Sequence, residues 1–337
     1  MKAVQLGGID QLSLVDIDPP VPAPDEVLIR TGAATICTSD LHDLHQNPFG
    51  IALPVILGHE GSGTVVALGE QVRDLAIGDR VAAHPVHPCR VCPTCRRGLG
   101  HLCPNLSHFG LDMQGTFAEF FVARADRVRR LPDHVSFEAG ALAEPICVCL
   151  EALRQARADR GQRLLIIGDG PFGIIMARLA AAMTPAPAVT VAGHHASRLA
   201  FADMVQTVNI RETADPRAAL MAASGGDGYD AAILAVGSQA AFTMALDLLR
   251  PKGRLVVFAP MPGDTPVDLF KLLLRELEIV GSVNDQGLLD DAVQALANPA
   301  IHFDDLVTHR FGIDDFQHAF AAAERDRTHA MKVALTF

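Results

Sequence analysis

No stretch of the 337-residue sequence approaches the ~18 consecutive apolar residues that a membrane span requires. The opening MKAVQLGGID has no apolar run behind Lys2, so no secretory leader is expected there. Basic residues are scarce: 28 Lys and Arg stand against 39 Asp and Glu, a net charge of −11. That balance argues against a surface for nucleic-acid phosphates, which need clustered positive charge. The one locally basic run, RVRR at 127–130, is expected to be a solvated strand end. Internal repeats and low-complexity tracts are absent. These absences leave a cytoplasmic globular protein with neither nucleic acid nor membrane as partner. Its length exceeds what one hydrophobic core usually fills, so two domains are expected.

Cysteine is sparse except in one place. Of seven cysteines, four fall within CRVCPTCRRGLGHLC at 89–103. Disulfides are not expected in a reducing compartment. Cys89, Cys92, Cys95 and Cys103 follow the pattern C-x2-C-x2-C-x7-C, which lets a single loop wrap four thiolates around one zinc ion. Such a shell has no exchangeable position, so it folds a loop and the chemistry lies elsewhere. Cys147 and Cys149, in EPICVCLEAL, are expected to pack as small apolar side chains.

A second set is spread over three fragments: ICTSDLH (36–42), LGHEGSG (57–63) and LAEPICV (142–148). They offer Cys37, His59, Glu60 and Glu144, a mixed sulfur, nitrogen and oxygen set. Zinc sites with three protein ligands and one open position are the catalytic kind.

Residues 163–183, RLLIIGDGPFGIIMARLAAAM, run from an apolar strand pattern into an apolar helix pattern. Between them Gly168-x-Gly170-x-x-Gly173 predicts a dinucleotide-binding turn that includes Pro171 and Phe172. Strand and helix patterns then alternate through AVTVAG, SRLAFADMV, YDAAILAVG, AAFTMALDLL and GRLVVFAP, as in an open parallel sheet. At the end of the second strand, NAD-using enzymes usually carry Asp or Glu to accept from the ribose 2′-hydroxyl. Gly193 occupies that slot here, followed by His194, His195 and Arg198. This arrangement leans towards NADP, although Arg198 alone decides nothing.

These motifs, together with GTVVALGEQV, GDRVA, GTFAEFFV, LRPKGRLV and VTHRF, resemble the zinc-dependent medium-chain dehydrogenase/reductase family. The branch is that of sorbitol and threonine dehydrogenases, and the matching pieces cover nearly the whole chain. The resemblance implies an α/β protein: a GroES-like β-barrel domain formed by 1–145 with 290–337, and a Rossmann NAD(P)-binding domain at 146–289. The active site would lie in the cleft between them. Phe109, Glu119 and Asn284 are open to a place there or to plain packing.

By the same resemblance Cys37, His59 and Glu60 sit on or beside a catalytic zinc, with Glu144 bound directly or through water. Asp40 would accept the free ring N–H of His59. Ser39 and His42 match the family's proton relay, with serine where threonine is common; Thr38 replaces a usual glycine. The implied cofactors are two zinc ions and NAD(P). The implied reaction passes hydride between a secondary alcohol or polyol, or its ketone, and the nicotinamide. An amino-alcohol dehydrogenase or ketone reductase would use the same groups. A homo-oligomer, dimer or tetramer, is expected by analogy.

Overall fold

The computed structural model describes residues 1–158, 161–183, 188–326 and 328–337. The chain divides into two compact units, Met1–Cys147 with Gln286–Phe337, and Val148–Asp285.

The first unit is built on a seven-stranded sheet. Its strands run in the order Val128–Arg130, Arg80–Ala83, Glu60–Leu68, Glu26–Ile36, Lys332–Thr336 and Val307–Gly312, with Phe120–Arg124 also pairing with Glu26–Ile36. The first half of Glu26–Ile36 alternates between buried and more exposed residues, as a strand with one wet face should. Its second half, from Ala33 to Ile36, is buried almost without break, because it runs beneath other elements into the interior. Glu60–Leu68 lies antiparallel on one side of it and Lys332–Thr336 antiparallel on the other. A smaller sheet of Gln11–Asp16, Lys2–Gly8 and Val55–Ile56 joins Phe117, Phe316 and Phe320 in a common core. The edge-to-face contact of Phe117 with Phe320 (centroids 5.8 Å apart) belongs to this core. Burial of each such side chain contributes about 1.5–3 kcal/mol.

The basic run ends as anticipated, at a strand. Arg129 pairs with Asp290 (2.6 Å) and Arg130 with Asp79 (2.7 Å), so its charge is answered by carboxylates.

The second unit is a six-stranded sheet in which every pairing is parallel. The strand order is Gln206–Asn209, Ala188–Gly193, Arg163–Ile167, Tyr229–Leu234, Leu249–Val257 and Glu278–Gly281. In sequence order this reads 3-2-1-4-5-6, the doubly wound dinucleotide-binding arrangement. Leu164 to Ile167 are almost wholly buried. Helices cover both faces of a parallel sheet, so its central strands are apolar throughout rather than alternating. Among the described residues no helix is long and apolar enough to cross a membrane.

Candidate functional site

Three neighbouring strands deliver the first group of candidate ligands. Thr35 is paired with Glu60 across the sheet, and Val333 with Ile36 on the other side. One step past these pairs, Cys37 and His59 come off adjacent strand ends and Lys332 flanks Cys37. Ligand atoms of Cys37, His59 and Glu60 all lie within 4.8 Å of one another. Gly58 makes the approach possible, since its φ is +94° and a Cβ there would stand 2.5 Å from the Phe117 ring.

Cys37 precedes the helix Thr38–Gln46. Asp40, in the first turn, accepts from the Cys37 backbone N–H at 2.8 Å through Oδ2. Its other oxygen lies 3.3 Å from His59 Nδ1. One buried carboxylate therefore closes the helix start and orients the imidazole, leaving Nε2 for a metal. Burial pushes His59 towards neutrality, but the charge and hydrogen bond of Asp40, with the neighbouring Cys37 sulfur, outweigh it and hold its pKa well above the usual value. Ser39 Oγ is 3.4 Å from His59 Nε2. His42 follows one turn later on the same helix and is exposed to solvent.

Glu60 is fully buried and already partnered. Thr35 donates to Oε2, and Lys332 donates to both oxygens, at 2.6 Å for Oε2. Burial pushes the Lys332 ammonium down, but the charges of Glu60, Cys37 and Glu144 together raise its pKa, so it stays protonated. Glu144 is buried at the start of the helix Ala143–Ala156 but is not part of the compact group of three.

Neither Lys332 nor His108 stands in a motif that the sequence singles out. The His108 ring lies 5.5 Å from that of His59. Burial first, then the charge of His59, pushes its pKa down to about 3, and its Nδ1–H donates to the Phe109 carbonyl at 2.7 Å. It is thus a neutral imidazole beside the metal ligands. Phe109 itself is 1% exposed and packs on His87 and Phe121, so it belongs to the core. Glu119 accepts from the Lys2 backbone N–H at 2.8 Å.

The four-cysteine loop forms a second group. Its sulfurs also lie within 4.8 Å of one another, with separations of 3.5 Å (Cys89–Cys103), 3.8 Å (Cys92–Cys103) and 4.0 Å (Cys89–Cys95). A tetrahedron with zinc–sulfur bonds of about 2.3 Å has edges of about 3.8 Å, so the cage has the dimensions of a zinc site. Backbone N–H groups already favour thiolates. Those of Val91 and Cys92 bring Cys89 down to about 6, and that of Cys95 lowers Cys92. Burial and the neighbouring sulfurs push Cys95 up to about 12, so the last charges wait for the cation. Cys147 and Cys149 are fully buried, and the Cys149 thiol faces the Phe172 carbonyl at 3.5 Å.

In the second unit each glycine of the fingerprint has a distinct task. Gly168 has φ +133°, a conformation that favours glycine. Gly170 caps the helix Pro171–Ala181, and a Cβ there would meet nothing within 4 Å, leaving room for a pyrophosphate against the helix N-terminus. A Cβ on Gly173 would stand 2.0 Å from the Gly168 carbonyl oxygen, so strand and helix pack too closely for any side chain. Pro171 fixes the first helical position, and Phe172 rests against Phe258 with centroids 5.3 Å apart.

At the end of the second strand the structure revises the premise drawn from Gly193. Asp169, from inside the glycine turn, reaches over it and accepts from the backbone N–H groups of His194 (2.7 Å) and His195 (2.6 Å). A carboxylate does stand there, supplied by another strand's loop. Arg198 is half-buried on the following short helix, Ala196–Leu199.

Residues 23–133 match the family model of the alcohol dehydrogenase GroES-like domain, and residues 171–298 that of the zinc-binding dehydrogenases. Sorbitol dehydrogenase of Bombyx mori is 32% identical over 342 residues, covering 99% of this chain and 97% of its own. The chain belongs to the zinc-dependent medium-chain alcohol dehydrogenase family. Two solved structures of similar fold each align over 100% of this chain and 99% of their own. A zinc-binding dehydrogenase of Sinorhizobium meliloti 1021, bound to NADP, has 27% identity and a TM-score of 0.91. A protein of Escherichia coli CFT073 described as a short chain alcohol dehydrogenase, complexed with NADH, has 26% identity and a TM-score of 0.93. As a medium-chain dehydrogenase the chain thus combines a GroES-like unit with a Rossmann unit.

Proposed function

We propose that this chain is a zinc-dependent polyol dehydrogenase that oxidises a secondary hydroxyl to a ketone, with NAD(P) as acceptor. The observation that carries the reading is the convergence of Cys37, His59 and Glu60 within 4.8 Å, with Asp40 orienting the imidazole. The polyol class is supported by the sorbitol dehydrogenase relative. In the balanced reaction the substrate carbon gives a hydride to the nicotinamide and its hydroxyl gives up a proton.

A zinc ion held by Cys37, His59 and one carboxylate supplies Lewis acidity, which lowers the proton affinity of an alcohol oxygen. Asp40 holds His59 in the tautomer that presents Nε2. Ser39, beside that nitrogen, takes the hydroxyl proton, since its oxygen can accept and donate at once. His42, exposed one turn on, passes it to water. Lys332 tethers Glu60 through an ion pair to both its oxygens, which makes Glu60 a restrained carboxylate; Glu144 is the second carboxylate available to the metal. The Cys89–Cys103 cage holds a second zinc with no chemical step. The glycine turn and its helix N-terminus bind the pyrophosphate.

Self-association is supported by the second unit. The helix Leu269–Arg275 exposes Leu269, Phe270, Leu273 and Leu274 by 66–70%. It precedes Glu278–Gly281, the strand at the edge of the sheet. Leu273→Asp should reduce the mass in analytical ultracentrifugation if that face joins two copies.

The decisive experiment assays zinc-loaded protein on a panel of polyols with both dinucleotides, next to Cys37→Ser. The substitution should abolish turnover and reduce the zinc content from two ions per chain to one, with the thermal melt retained. Full activity in Cys37→Ser, or wild-type protein active without zinc, would overturn the proposal.

A further inference from the structure

The slot after the second strand holds glycine, yet the space is not empty. A Cβ built on Gly193 would lie 2.5 Å from Asp169 Cβ, 2.9 Å from its Cγ and 2.8 Å from its Oδ2. The Asp169 side chain therefore fills the volume that a side chain at 193 would take, and the two positions exclude each other.

Three donors converge on that carboxylate. The backbone N–H groups of His194 and His195 approach at 2.7 and 2.6 Å, and His195 Nδ1 at 3.1 Å. All three lie on Oδ2, so the side chain is pinned in one orientation. Asp169 is 8% exposed, on the face of the glycine turn that meets the strand end.

Resting on the dinucleotide reading of this unit, we infer that Asp169 is the residue that selects the cofactor, accepting from the ribose 2′-hydroxyl of NAD and repelling the 2′-phosphate of NADP. The carboxylate normally carried at the end of the second strand has moved to the second position of the glycine motif, and Gly193 is the space it needs. On this inference the preference is for NAD, opposite to the lean towards NADP that Gly193 suggests by itself. Discrimination comes from one attraction and one repulsion acting on the same atom of the ribose.

The test is fluorescence titration of the zinc-loaded protein with NADH and with NADPH, which needs no alcohol substrate. Wild-type protein should bind NADH at least about tenfold more tightly than NADPH, the scale expected when like charges are brought together. Asp169→Asn keeps an oxygen for the two backbone donors and removes the charge, so the preference should shrink by about tenfold. Asp169→Ala combined with Gly193→Asp returns the carboxylate to the strand end and should restore it. The ratio of two dissociation constants on one preparation is independent of the fraction of protein folded. A wild-type preference for NADPH, or a ratio unmoved in Asp169→Asn, would overturn the inference and leave the dehydrogenase reading standing. Binding of neither dinucleotide would overturn both.

Discussion

Lys332 and Glu60, 272 residues apart in sequence, form an ion pair that is 2% and 0% exposed, beside the candidate metal ligands. An ammonium in that position is sustained only by the negative groups around it. The pair ties the strand Lys332–Thr336 to the strand that begins with Glu60, across Glu26–Ile36 between them.

Lys332→Met leaves the Glu60 carboxylate buried without its counter-charge. Stability should fall by about 3–5 kcal/mol, the usual cost of breaking a buried pair from one side. Adding Glu60→Gln removes the stranded charge and keeps the acceptor for Thr35, so most of the loss should return. Urea denaturation of the single and double variants checks this, and equal losses in both would count against it.

Ser39→Ala removes the hydroxyl beside His59 without touching a metal ligand. We expect kcat to fall about 10²–10⁴-fold, the range for a lost proton-transfer group, with zinc content unchanged. His42→Ala should cost less and respond to added imidazole, because solvent can replace an exposed relay member. Steady-state kinetics with metal analysis distinguishes the two cases.

Cys92→Ser opens the four-sulfur cage, whose separations of 3.5–4.0 Å match a zinc tetrahedron. The variant should lose one zinc ion per chain and melt at lower temperature. NADH titration should be unchanged, because the nucleotide turn lies in the other unit. Retention of both ions would refute the assignment.

The glycines of the fingerprint should respond differently to the same methyl group. Gly173→Ala places a Cβ 2.0 Å from a backbone oxygen and should destabilise the unit by about 1–3 kcal/mol, as overpacking does. Gly170→Ala meets nothing within 4 Å, so the melt should be unchanged. Its methyl group would instead stand where the pyrophosphate approaches. Losing one charge-assisted hydrogen bond, worth about 1.5–3 kcal/mol, should weaken NADH by about tenfold or more. Parallel melts and titrations of the two variants test the pair.

The sequence made legible whatever depends on local spacing. The four cysteines sit on one loop, and the glycine motif is a single turn between a strand and a helix. Cys37 and His59 could be paired only through the family pattern, because their meeting depends on the register of two strands. What escaped was long-range. Lys332 reads as one polar residue in MKVALTF, and only the sheet order puts it beside Cys37. Asp169 reads as an unspecified residue between two glycines, and only the twist of one loop over the next strand shows what it replaces. His108 has no motif, and its neutrality follows from burial near another histidine. Glu144, expected to bind the metal directly or through water, stands outside the group of three, and no sequence spacing states which.

The strand Lys332–Thr336 lies between Glu26–Ile36 and Val307–Gly312. During synthesis, every residue of the nucleotide unit leaves the ribosome before this strand does. Glu60 spends that interval without its cation, and two neighbouring strands expose bare edges. A nascent chain can thus finish its cofactor half early, while the half that handles metal waits for its final segment and has most need of chaperone cover.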